Sequence, residues 1–292
     1  MSRAAIADAL ARAGDADVAS RWLIDWLDET DSTQRVAATI GARVGPLRGR
    51  WLLVATARQE AGRGRGGARW EAAAGEAVLV TLAAELDAPG EQWPLASLVV
   101  GAALADAIAA RTGTDVRWKW PNDLLVVHEG RWRKLAGCLA ERVERPGLSP
   151  LWLIGIGLNR DTDGLPEALR RHTVGLRALG PHDASTLESL VAEVAGVVRD
   201  AVTAWRASNW RFDPDVHTER LAFRGAHIRC DLGGSEREGV LVGLHVDGAL
   251  LLADTADGVP RPCLPLAIVG ADVEPPWHPP ARLRPDPGSG GS

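Results

Sequence analysis

Apolar residues recur along this chain with two periods, and the switches between them mark its elements. The opening residues space Ala, Ile and Leu along one face, which predicts a short helix. In RWLIDWLDETDST, Trp22, Ile24 and Trp26 recur at every second position, predicting a half-buried strand that runs into a polar turn at Asp31-Ser32-Thr33. A helix ending near Gly41 follows. Next come an apolar strand, RWLLVATARQ, the loop EAGRGRGGARW and a second strand, VLVTLAAEL. From Trp93-Pro94 to Arg111, length and Ala/Leu/Val content predict a buried helix, closed by Gly113 as its C-terminal cap.

DVRWKWPND alternates again, setting Trp118 and Trp120 against Arg117 and Lys119, and stops at Pro121. KLAGCLAERV and PLWLIGIGLN predict two strands separated by RPGLSP turn chemistry. Ser185-Thr186-Leu187-Glu188 reads as a capping box that opens a helix reaching about Ser208. After Phe223, AHIRCDL, GVLVGLHV, ALLLAD and AIVGADV are short strand candidates, with Asp247-Gly248 as a tight hairpin. The expected organisation is a large domain over 1–221, a small β domain over 222–275 and a disordered Pro/Gly tail over 276–292. Helices interleaved with mostly hairpin-connected strands predict an α+β fold rather than regular parallel winding.

Composition narrows the class. With 46% hydrophobic and 24% charged residues, the chain is globular rather than disordered. No uninterrupted apolar run has the roughly 18 residues of a bilayer span, and the N-terminus lacks an apolar signal core. Cys138, Cys230 and Cys263 form neither an even disulfide set nor a metal spacing, and the seven histidines show no ligand spacing. The expected setting is therefore the cytoplasm, and no metal ligands are assigned. A net charge of −5 argues against a general polyanion binder, and neither nucleic acid nor membrane is an expected partner.

The 33 basic residues include only two lysines, Lys119 and Lys134. A position that keeps Lys in such a chain is one where a planar fork does not replace a compact ammonium. Nearby, Gly62-Arg63-Gly64-Arg65-Gly66-Gly67 combines glycine freedom with cationic charge, which suits a backbone approaching an anion; a solvated hairpin is the alternative. No Gly-Lys-Ser/Thr follows, so it is not a P-loop. Trp70 closes the loop as an aromatic face or a core anchor. Beyond Pro121, Asn122 and Asp123 leave the strand end, either toward a ligand or as an Asx turn. Lys134 stands at the entrance of an apolar strand. Gly155 and Gly157 bare one strand face, for a flat ligand or for close packing.

Taken together, these segments resemble the biotin protein ligases. The matching residues are Asp31-Ser32-Thr33, Gln59, Gly62-Arg63-Gly64-Arg65 with Trp70, Lys119-Trp120-Pro121-Asn122-Asp123, Lys134-Leu135-Ala136-Gly137 and Gly155-Ile156-Gly157-Leu158-Asn159, in the family's order. The resemblance implies a class II aminoacyl-tRNA-synthetase-like catalytic domain, a mixed sheet with helices, followed by a small SH3-like barrel. It implies activation of biotin by ATP and Mg²⁺ as biotinyl-5′-AMP, then transfer to a lysine of the biotin carboxyl carrier protein of a carboxylase.

Residue by residue, it assigns Ser32, Thr33, Gln34 and Gln59 to the biotin head group. Arg63, Gly64 and Arg65 belong to the loop over biotin and the adenylate, with Arg63 at the carboxylate and phosphate. Lys134 faces the carboxylate and α-phosphate, while Gly137, Gly155 and Gly157 floor the slot. Trp70 stacks near adenine; Arg65, Lys119, Asn122, Asp123 and Asn159 complete the nucleotide side. Lys134, Arg63 and Asp123 are the catalytic candidates, Asp123 as the base for the incoming lysine. Only about twenty residues precede the first strand, so the DNA-binding winged helix of bifunctional members is not expected. A homodimer is compatible with the family. The nearest competing reading is a lipoate- or octanoate-transferring enzyme, against which the Gly-Arg loop and the Lys-Trp-Pro-Asn-Asp run argue. Cys138 stands where the family commonly has a branched aliphatic, and is expected to be a buried hydrophobe.

Overall fold

A computed structural model describes residues 2–15, 17–180, 185–231, 236–253, 260–264 and 272–274. The chain opens with α1 (Arg3–Arg12) and the single turn α2 (Val18–Arg21), then β1 (Trp22–Thr30), α3 (Thr33–Arg43) and β2 (Trp51–Gln59). A two-residue hairpin, β3 (Gly62–Arg63) and β4 (Arg69–Trp70), precedes β5 (Ala77–Glu85) and α4 (Ala96–Thr112). Four strands follow: β6 (Val116–Lys119), β7 (Asp123–His128), β8 (Arg131–Arg145) and β9 (Leu148–Asn159). Then come α5 (Glu167–Arg170), α6 (Leu187–Ala207) and α7 (Pro214–Glu219). The small strands are β10 (His227–Asp231), β11 (Glu236–Leu244), β12 (Leu250–Ala253), β13 (Pro260–Leu264) and β14 (Asp272–Glu274).

Seven strands form one mixed sheet in the order β1-β2-β5-β9-β8-β7-β6. Only β1 and β2, joined through α3, run parallel in it; the other neighbours are antiparallel. The α+β expectation holds. Strand alternation divides the core between the two faces. Leu53 and Ala55 of β2 and Trp152, Ile154 and Ile156 of β9 join a large cluster with α1, α4 and α6. Leu52 and Val54, with Leu151 and Leu153, face α3 in a second cluster. Each fully buried Leu or Val on these faces contributes about 1.5–3 kcal/mol. Farther along the α3 face, Gly137, Gly155 and Gly157 replace apolar side chains, and the sheet borders a hollow instead of a core.

Several local expectations shift. Two strands are longer or newer than the pattern suggested: β7 was not anticipated, and β8 begins at Arg131, so Lys134 lies inside a strand rather than at its entrance. A tight turn with left-handed Glu129 (φ 51) and Gly130 (φ 72) joins the two. Helix α6 is capped by Thr186, whose side chain accepts from Ser189 N, not by Ser185 with Glu188. Gly113 caps α4 in the left-handed region, φ 69, as expected. By length and composition, Gln92–Thr112 is apolar enough to cross a bilayer, which the run-length criterion overlooked; 56% of its apolar window is buried inside the fold.

The last five strands form an antiparallel sheet, ordered β13-β12-β11-β10-β14, with the β11–β12 turn at Asp247-Gly248. Strand β13 was not anticipated, whereas the candidate AIVGADV falls largely on, and the tail over 276–292 entirely on, residues outside those described. The small sheet docks on the large one through Trp120, whose Nε1 donates to the Gly248 carbonyl at 3.0 Å. Leu244 N donates to the Thr218 hydroxyl at 3.1 Å alongside.

Candidate functional site

The hollow has a volume of about 300 Å³, a size suited to a small organic ligand. Its polar end lies at the start of α3. Asp31 accepts from Ser32 N at 2.6 Å and turns the chain out of β1 into the helix. Ser32 occupies the N-cap, yet its hydroxyl does not cap. The residue is 1% exposed, and its Oγ has no hydrogen-bond partner among the described residues. A buried hydroxyl left unpaired costs about 1–3 kcal/mol, so this one, on the wall of the hollow, is available to a polar ligand group.

Around it, Thr33 donates from N and Oγ1 to Gln59 Oε1 at 2.8 and 3.2 Å. Thr81 Oγ1 lies 2.9 Å from Thr33 Oγ1 and 3.0 Å from Gln34 Oε1. The Gln34 amide donates across to the Leu139 carbonyl at 3.3 Å.

The charged end lies where β7 meets β8. Asp123 pairs in register with Gly137, and Lys134 Nζ sits 2.7 Å from Asp123 Oδ1. The same ammonium is 5.2 Å from the centre of the Trp70 ring. That indole lies against the glycine face. A Cβ on Gly157 would fall 2.4 Å from the ring, and one on Gly137 would fall 3.1 Å from it. At Gly155 it would meet Gln34 Oε1 at 2.5 Å. The bare glycine face is thus covered by protein groups, an indole and an amide, which themselves line the hollow.

The β3–β4 hairpin forms the remaining wall. Its tip contains Gly66 and Gly67 at φ 65 and 84, a left-handed conformation that explains the glycines. Arg63 donates twice to Glu141, at 2.8 and 3.2 Å, and Arg69 donates to the Glu60 carbonyl at 2.5 Å. The Arg65 guanidinium is 5.6 Å from the Trp120 ring centre. Four cations, Arg63, Arg65, Arg69 and Lys134, therefore share the lining with one carboxylate, Asp123. The arrangement suits a ligand with a neutral polar ring at one end and an anion at the other.

Ser32, Thr33, Gln34, Gln59, Arg63, Gly64 and Arg65 all line this hollow, as do Trp70, Asn122, Asp123, Lys134, Gly137, Gly155 and Gly157. Lys119 and Asn159 do not line it. Lys119 sits on β6 opposite Asp123. Asn159 is buried and donates from Nδ2 to the Lys134 carbonyl at 3.3 Å, tying β9 to β8. Sequence reasoning missed Thr81, fully buried in β5; its signal was a lone hydroxyl in an otherwise apolar strand. Cys138 is buried on the opposite face, and burial pushes its thiol up to about 12, as expected of an inert hydrophobe rather than a nucleophile. Among the described residues no group of three or more His, Cys, Asp or Glu side chains could hold a metal.

Comparison with known proteins agrees with this architecture. Residues 27–159 match the model of the biotin/lipoate A/B protein ligase family. The chain is 28% identical over 234 residues to the biotin–[acetyl-CoA-carboxylase] ligase of Mycobacterium tuberculosis, covering 78% of this chain and 82% of that one. It is 30% identical over 231 residues to the bifunctional ligase/repressor BirA of Escherichia coli, covering 75% of this chain and 66% of BirA. In fold it is similar to the biotin protein ligase of Aquifex aeolicus solved with biotin and ATP, with TM-score 0.67, 22% identity and coverage of 86% and 99%. It is also similar to the Leishmania major ligase solved with biotinyl-5-AMP, with TM-score 0.54, 24% identity and coverage of 82% and 98%. Sequence likeness and fold together make this chain a member of the biotin/lipoate A/B protein ligase family.

Proposed function

We propose that this enzyme activates biotin with ATP and transfers it to a lysine of a biotin carboxyl carrier protein, in the cytoplasm. The observation that carries the reading is the meeting, in one hollow, of an unpartnered buried hydroxyl at Ser32 and the Lys134 ammonium. Biotin has the matching ends: a ureido ring whose carbonyl and N–H edges need buried partners, and a carboxylate. Ser32, Thr33 and Gln59 serve the ring, while the thiophane and valeryl chain lie along the Trp70 indole that covers the glycine face.

In the first half-reaction a biotin carboxylate oxygen bonds to the α-phosphorus of ATP as the α–β bridging bond breaks and pyrophosphate leaves. Two unit charges 4 Å apart repel by about 4 kcal/mol at the effective dielectric of such a site. Lys134 offsets that repulsion by exchanging Asp123 for the carboxylate and phosphate oxygens, helped by Arg65 and Arg69 of the hairpin. In the second half-reaction a neutral carrier lysine attacks the acyl carbon, an amide bond forms and AMP leaves. Asp123, released from Lys134, accepts the proton.

The donor set offers no protein cage for a resident metal, but Asp123 and Asn122 at the charged end fit a Mg²⁺ that arrives on ATP. Bound there, it would supply charge neutralisation on the phosphates. The large catalytic unit over 1–221 and the small β unit over 222–275 remain our proposed division. The test is acid-dependent exchange of labelled pyrophosphate into ATP, followed by transfer to a carrier domain. Exchange driven by biotin but not by lipoate or octanoate supports the reading; exchange driven only by the latter two replaces it.

A further inference from the structure

We propose that Glu141 is a positioning residue that straps the glycine–arginine hairpin across the vitamin end of the hollow. The inference rests on the biotin-ligase reading of that hollow. Along β8, Gly137, Leu139 and Glu141 alternate with Cys138 and Ala140, which are buried in the core. Gly137 and Leu139 line the hollow, and the Leu139 carbonyl accepts from Gln34 at 3.3 Å. Glu141 is the next residue on this face, past the Gln34 end and away from Lys134. There its carboxylate takes both terminal nitrogens of Arg63 at 2.8 and 3.2 Å. Arg63 closes β3, directly before the glycine tip.

This geometry changes what Arg63 does. Its charge is met by protein, and its two-pronged bond fixes a plane as well as a distance. The first strand of the hairpin is thereby held to β8 before any ligand arrives. Arg63 then shapes the ring end of the site through the backbone it anchors, and the phosphate chemistry falls to Lys134, Arg65 and Arg69. The two side chains are 45% and 29% exposed, and ion pairs this open shift an equilibrium by about twofold to fivefold.

The test compares the wild type with Glu141→Gln and with the charge exchange Arg63→Glu plus Glu141→Arg. In pyrophosphate exchange, Glu141→Gln should raise the biotin KM about twofold to fivefold, with kcat and the ATP KM unchanged. The exchanged pair should recover most of the biotin KM lost in Arg63→Glu alone. In the ligand-free protein, trypsin should cut after Arg65 about twofold to fivefold faster in Glu141→Gln. Wild-type biotin KM and wild-type cleavage in Glu141→Gln would overturn the strap, as would an exchanged pair no better than Arg63→Glu. A wild type with no biotin-dependent exchange would overturn the ligase reading instead, and the trypsin comparison would still decide the strap.

Discussion

Replacing Gly157 with alanine tests how the hollow is floored. The new methyl carbon would fall 2.4, 2.7 and 2.7 Å from three atoms of the Trp70 indole. Carbon atoms pack best at about 3.5–4.0 Å, so the ring must withdraw by roughly 1 Å. A flat indole cannot bend out of the way, and Trp70 is tied by pairing with Gly62 on β3. Overpacking of this kind costs about 1–3 kcal/mol. At about 2–4 °C per kcal/mol for a chain of this size, Tm should fall by roughly 2–12 °C.

The same displacement pushes the ring into the space proposed for biotin, so affinity measured by calorimetry should drop at least about tenfold, the equivalent of about 1.4 kcal/mol. The discriminating measurement is a double-mutant cycle with Trp70→Ala. With the ring gone, Gly157→Ala should cost less than about 0.5 kcal/mol, leaving a coupling of at least about 0.5 kcal/mol. An equal loss of stability in both backgrounds would show that the clash is not with Trp70, and the account of the floor would fail.

Other expectations can be checked with the same preparations. Lys134→Gln should lose biotin-dependent pyrophosphate exchange by at least about a hundredfold while unfolding normally, and Lys134→Arg should not restore it; full exchange by either variant contradicts the assigned role. Thr81→Val removes a hydroxyl shared by Thr33 and Gln34 and should cost about 1–3 kcal/mol in urea unfolding, with weaker biotin binding. Unchanged binding would assign Thr81 to the core alone. Burial lowers His217 from 6.5 to about 4, so the folded state favours the neutral ring. Its contribution is complete above pH 6.5 and is lost as pH falls toward 4, up to about 3 kcal/mol. In His217→Phe the drop in urea midpoint between pH 7 and pH 4.5 should shrink; the same drop in both proteins would place the acid lability elsewhere.

What the chain revealed in advance, and what it withheld, follows from where each signal originates. Alternation in β6, the left-handed Gly113 and the Asp247-Gly248 turn are local, and each reads correctly from its own neighbours. Strand β7 was hidden because LLVVH does not alternate and follows a proline that announces an end; its partner strand supplies the pairing that makes it a strand. The polar start of β8, RWRK, was hidden for the same reason. Most site residues were legible as motif positions, but the partners that hold them were not. Glu141 lies 78 residues from Arg63, and Thr81 lies 48 from Thr33. No short-range pattern encodes such contacts. Lys119 and Asn159 show the converse: each neighbours site residues in sequence, yet neither lines the hollow.

The hydrogen bond from Trp120 to Gly248 gives the small sheet a stake in the chemistry of the large one. Trp120 carries the Arg65 guanidinium on one side and leans on the β11–β12 turn on the other. Cutting the chain after residue 221 would leave every proposed reacting group present, yet remove the buttress beneath Arg65. The polypeptide can be divided there on paper; the hairpin that walls the hollow would inherit a loose hinge.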